Sequence, residues 1–124
     1  EDMIPAAGQG IVGIAGRPDA LPVEIVDLLA SLDHSLTRIA ASAERAFLFE
    51  LDGSCRTAMA GHMRPTKTGW AFDGEVLEPD GSKRWSGHAS IDSSIGTQQA
   101  AALGKKIGED IRRDAGGQLP AFED

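Results

Sequence analysis

Trp70-Ala71-Phe72-Asp73-Gly74-Glu75-Val76-Leu77 decides the fold class, because Trp70, Phe72, Gly74 and Val76 alternate with Asp73 and Glu75. A two-residue period sends the first set to one face of a strand and the carboxylates to the other. A strand buried on one side only belongs to an antiparallel sheet. Working outward, Ser82–Ile91 repeats the pattern: Trp85, Gly87, Ala89 and Ile91 share a face against Arg84, Ser86 and His88. Ala58–Arg64 is a third short segment, and two turn sequences, Pro65-Thr66-Lys67-Thr68-Gly69 and Glu78-Pro79-Asp80-Gly81, separate the three. A three-stranded antiparallel meander with one buried face is expected.

On either side of the meander the period is helical. Pro22 suits a first turn, and Ile25, Leu28, Leu29 and Leu32 form one apolar stripe opposite Glu24 and Asp27. Asp33-His34-Ser35 offers a cap for a second helix, whose stripe is Leu36, Ile39, Ala40, Ala43, Phe47 and Leu51. Arg38, Glu44 and Arg45 are expected to be mostly solvated, and the two helices to form a hairpin packed on something flat. Ser93, Ser94 and Thr97 are candidate caps for a last helix with Ala100, Leu103, Gly104, Ile107 and Ile111 inward, ending at Ala115-Gly116-Gly117. The class is α+β, a three-stranded antiparallel sheet with helices packed on one face. Residues 19–117 form the domain and 118–124 a loose tail in which Phe122 can dock. Residues 1–18 are an arm in which Ile11, Val12 and Ile14 favour a strand, stopped by Gly16, Arg17 and Pro18.

Composition excludes several functions. The chain has 124 residues, 19 acidic and 12 basic, for a net charge of −7. That balance repels a phosphate backbone and argues against nucleic-acid binding. A single cysteine rules out an internal disulfide and a multi-cysteine zinc site, which suits a reducing, cytoplasmic setting. No apolar run approaches the roughly 18 residues of a membrane span. His34, His62 and His88 are too widely spaced for a metal motif, so no metal is expected. Gly8, Gly10 and Gly13 match G-x-G-x-x-G, but Pro5 interrupts the approach and β-branched residues follow where a helix is required, so a dinucleotide site is set aside. Trp70 and Trp85 read as core rather than a base-stacking platform. The chain begins at Glu1 without an initiator methionine and reads as a piece of a longer or processed polypeptide.

The lone cysteine lies in Leu51-Asp52-Gly53-Ser54-Cys55-Arg56-Thr57, between the second helix and the first strand. Asp52-Gly53-Ser54 is a turn sequence, and buried cysteines are rarely flanked by Gly, Ser and Arg. Cys55 reads as an attachment point or nucleophile, and residue chemistry alone leaves a structural cysteine equally open. Arg56 favours the thiolate, whereas the C-terminal end of the preceding helix opposes it.

Three stretches together carry a resemblance. Ile4-Pro5-Ala6-Ala7-Gly8-Gln9-Gly10-Ile11-Val12-Gly13-Ile14 resembles a P-A-x-G-Q-G-x-x-G-I segment. Leu28–His34 and Ala43-Glu44-Arg45-Ala46-Phe47-Leu48 resemble the L-x-x-L-x-H and A-E-R-A-F-L helices of the same family, and Leu51–Thr57 is similar to its cysteine loop. The family is porphobilinogen deaminase, also called hydroxymethylbilane synthase. The resemblance implies a strand returning to a missing first domain and then the whole third domain, in which a three-stranded antiparallel sheet carries helices on one face. It implies that Cys55 holds a dipyrromethane cofactor by a thioether, with Gly53 and Ser54 beside it, and that Gln9 and Gly10 lie by the bound pyrroles. Ser54, Arg56, Thr57 and Ala58 depart from the commoner E-G-G-C-Q-V-P loop.

The implied partners are the missing N-terminal domains of the same polypeptide and porphobilinogen as substrate. Those domains would supply the catalytic carboxylate and arginines, so no catalytic residue is expected here and this chain alone is expected to be inactive. Residues 8–16 could instead pair with a second copy in a strand-exchanged dimer. Two rivals come from other classes. A double-stranded-RNA-binding-like module shares the order helix, three strands, helix, but the acidic charge opposes it. A thiol redox protein using Cys55 would lack a resolving cysteine.

Overall fold

A computed structural model describes residues 3–17, 19–51, 58–117 and 119. The chain runs α1 (Val23–Ser31), α2 (Ser35–Glu50), β1 (Ala58–Pro65), β2 (Trp70–Leu77), β3 (Arg84–Ile91) and α3 (Thr97–Asp114). The strands form one antiparallel sheet in the order β1-β2-β3. Both turns are as expected: Thr66 N–H donates to the Gly69 carbonyl, and Gly81 takes φ +73° between β2 and β3. The α+β class holds, but the alternation of burial does not hold on the central strand, where Ala71 and Glu75 of the face expected in solvent are buried as well.

The core lies between the sheet and the pair α2 and α3. Phe47, Phe72, Val76 and Ala100 are fully buried, with Leu51, Met63, Trp70, Ile107 and Ile111 nearly so. Trp85 packs partly buried against the same cluster, so both tryptophans belong to the core. The register sets Gly61, Gly74 and Gly87 side by side across all three strands. This row of bare backbone is a furrow that receives Phe47 from α2 and Ile107 from α3. A Cβ at Gly74 would come within 2.7 Å of the Phe47 ring, and one at Gly87 within 2.8 Å of Ile107. The Phe47 ring meets Phe72 edge-to-face, with centroids 5.3 Å apart. Helix–helix contact is equally close, because a Cβ at Gly104 would collide with the Ala43 carbonyl.

Two further expectations need correction. The first two helices do not form a packed hairpin: α1 buries no residue, and the helical pair on the sheet is α2 with α3. Residues 11–17 are not in a strand, and among the described residues they pair with no edge; the strand expected of them needs a sheet from outside this chain. Glu44, expected in solvent, is 3% exposed. In the tail, Leu119 packs partly buried against the core, and Phe122 lies outside the described residues. Among the described residues no helix is long and apolar enough to cross a membrane.

Candidate functional site

Gln9 sits between two glycines that the backbone needs. Gly8 and Gly10 have φ of +77° and +78°, and a Cβ at either would meet open space, so conformation rather than room demands glycine. Gln9 N–H donates to the Ala6 carbonyl and Ile11 N–H to the Gly8 carbonyl, making two consecutive turns with a positive-φ residue at the third place of each. The motif therefore builds a double turn that presents Gln9, which is exposed together with Gly10.

Glu44 fastens this turn to the domain. Its Oε2 accepts from Gly8 N–H at 2.6 Å and its Oε1 from Met63 N–H at 2.8 Å. His62 Nδ1 is 3.7 Å from Oε1. Met63 lies on β1, an edge strand whose outward N–H groups would otherwise be open to another chain. Gly61 N–H donates to the Pro5 carbonyl, Met63 N–H to Glu44, and Pro65 has no N–H to satisfy. The lead-in and one carboxylate thus cover the edge from Gly61 to Pro65. Between the turn, α2 and β1 runs a groove of about 260 Å³, lined by Gln9, His34, Glu44, His62 and Trp70 among others.

Gly53, Ser54 and Cys55 lie outside the described residues, but both anchors of their segment are described. Leu51, the C-cap of α2, is 2% exposed, and Ala58 pairs with Leu77 at the start of β1. Arg112 of α3 donates to the Glu50 carbonyl at the C-terminal end of α2, and its Nε is 4.0 Å from the Glu50 carboxylate. This guanidinium offsets the negative end of the helix from which the Cys55 segment departs. Glu44 and Leu51 are about 10 Å apart along α2, at a rise of 1.5 Å per residue.

Each histidine has a partner of its own. His34 caps α2, its ring 2.8 Å from the Thr37 hydroxyl. His88 contacts Asp73 at 2.6 Å on the open face of the sheet, where Arg64 also reaches Asp73. Partial burial pushes the Asp73 carboxyl up, but hydrogen bonds and charge from Arg64 and His88 outweigh it and hold the group below its ordinary 3.8. Among the described residues no three metal-ligating side chains converge.

Sequence reading missed Glu44 and Arg112. A signal for Glu44 was present: it stands four residues after Ala40 and three before Phe47, on the margin of the buried stripe. No local signal marks Arg112, whose partner is 62 residues away.

Comparison with known proteins fits this geometry. Residues 38–113 match the family described as porphobilinogen deaminase, C-terminal domain. A chloroplastic porphobilinogen deaminase of Pisum sativum is 42% identical over 94% of the chain. The porphobilinogen deaminases of Macrococcus caseolyticus and Nitrobacter hamburgensis are 38% and 35% identical over 92% and 94% of it. The chain spans about a third of these relatives: 31%, 38% and 35% of their respective lengths.

Proposed function

The chain belongs to the porphobilinogen deaminase family, as its C-terminal domain, and from that premise we propose that it is the cofactor-carrying part of a deaminating transferase of tetrapyrrole biosynthesis. The whole enzyme polymerises four porphobilinogen units into hydroxymethylbilane. Cys55 is the attachment point, through a thioether to dipyrromethane, with Gly53 and Ser54 beside it, and Gln9 and Gly10 face the pyrroles. The observation that carries this reading is the family match over residues 38–113, which spans the Cys55 segment.

The residues suit one part of the task. Loss of ammonia from porphobilinogen leaves an electrophilic methylene carbon, which a soft thiolate captures well. When bound, the dipyrromethane supplies a primer to which further pyrroles are added. This chain's share is to hold the thiol on a segment anchored by Leu51 and Ala58, and to present Gln9. Acetate and propionate side chains call for arginines, and among the described residues neither Arg nor Lys lines the groove beside Gln9. Glu44, the one carboxylate that lines the groove among the described residues, already accepts from two amides. Both features support a chain that anchors but does not catalyse, its cations and acid coming from the rest of the polypeptide.

Intact mass spectrometry tests the assignment. The full-length enzyme should carry a covalent dipyrrole on Cys55, and the 124-residue chain a bare thiol with no turnover of porphobilinogen. An unmodified Cys55 in active full-length enzyme would overturn the attachment, and tetrapyrrole production by the short chain would overturn its inactivity. Val12 and Ile14 are exposed, which supports pairing of the part of residues 8–16 beyond the Gly8–Gly10 turn with a sheet outside this chain. That sheet belongs to the N-terminal domains or to a second copy, and light scattering separates the two.

A further inference from the structure

We propose that Glu44 is the positioning residue for Gln9, a buried clip of two acceptors that holds the Gly8–Gly10 turn to the edge of the sheet. A carboxylate taken out of water is costly unless its oxygens are satisfied. Here each oxygen accepts one backbone N–H, from segments 36 and 19 residues distant. The pairing explains the residue type. Two N–H donors need two acceptors, and a glutamine offers one acceptor while turning its own N–H2 on the other donor. Aspartate is a methylene too short to stand in.

The clip sits immediately before Gln9, at the point where the arm leaves the body: Ile11 is half-buried, and Val12 onward is exposed. Pro5, through its carbonyl, gives the lead-in one further hydrogen bond to β1. Without Glu44 the double turn keeps its shape, since its glycines and internal hydrogen bonds remain, but loses its place. Gln9 then leaves the groove it shares with His62 and Trp70. Glu44 acts through Gln9 and does not touch the reacting atoms.

The functional half of this inference rests on the reading above, so the test has one arm independent of turnover. In the full-length enzyme, Glu44→Gln should speed hydrogen exchange of the Gly8 and Met63 amides on the order of tenfold or more. It should also lower kcat for porphobilinogen on the order of tenfold, whereas Val76→Ala, a core change, costs stability without that loss. Gln9→Ala should lower kcat as well, and the double variant should fall no further than Gln9→Ala alone, as expected when one residue acts through the other. Multiplying losses, or Gly8 exchange unchanged from wild type, would overturn the proposal. Glu44→Asp keeps the charge, shortens the reach and carries the same measurements if Glu44→Gln does not fold. A wild-type enzyme with no pyrrole on Cys55 would sink the functional reading, while the exchange arm would still decide the clip.

Discussion

Helices α1 and α3 carry similar apolar stripes and meet opposite fates. On α3, Ala100, Ile107 and Ile111 are buried against α2 and the sheet. On α1 nothing is buried, and Leu28 keeps 56% of its surface. The arm before α1 is similar, with Val12 at 89%. An amphipathic pattern states which face favours burial; it does not say that the same chain supplies the cover. The body closes on itself through the glycine furrow. The lead-in presents its apolar side outward, in a chain about a third as long as its relatives.

Gly104 separates the close-packed body from the lead-in most sharply. Gly104→Ala drives a methyl into the Ala43 carbonyl, and backbone cannot swing aside as a side chain can. The variant should lose about 3 kcal/mol or fail to fold, as read by urea unfolding. Phe47→Ala should follow, at about 3–5 kcal/mol, because it empties the furrow of the ring that Gly61 and Gly74 were shaped to take. A loss under about 1 kcal/mol at either position would mean that the body is not the close-packed unit that distinguishes it from the lead-in.

What the sequence revealed follows the same division. Period-two alternation at Trp70–Leu77 and the stripe on α3 were legible because each states a local geometry that the chain itself satisfies. The row of Gly61, Gly74 and Gly87 was not, since it exists only once the strand register is known. Glu44 was misread through its charge: residue type said solvent, whereas its place beside Phe47 said core. Arg112 depends on a contact across two helices that no local pattern contains. The Gly-Gln-Gly stretch was singled out as a site only through the family resemblance, and neither its double turn nor its attachment to α2 was legible. Leu28 and its neighbours were read correctly as a stripe and wrongly as covered. Cys55 was singled out by its neighbours in sequence, and its segment lies outside the described residues.

A smaller effect is expected on the sheet's open face. Asp73 is held below its ordinary 3.8 in the folded chain by Arg64 and His88 against the opposing effect of burial. A depressed carboxyl contributes stability that is complete above its unfolded value and is lost as pH falls through the folded one. Acid titration of wild type should therefore show a stability loss below about pH 3.8 that Asp73→Asn lacks. At neutral pH that substitution should cost about 1 kcal/mol or less, as for other partly exposed ion pairs. An acid limb identical in both proteins would remove Asp73 from the account.

The smallest effect is the most discriminating. Ile25→Gln and Leu28→Gln exchange exposed apolar groups for a residue of good helix propensity, so in this chain each should change stability by no more than about 0.5 kcal/mol. In the full-length polypeptide the same pair should cost several times more if the remaining domains cover α1, because each buried Leu or Ile is worth about 1.5–3 kcal/mol. A cost above about 2 kcal/mol in the short chain would show that α1 packs within it after all. Equal, negligible costs in both would mean that α1 faces water throughout, and the exposed stripe would then need a partner beyond this polypeptide.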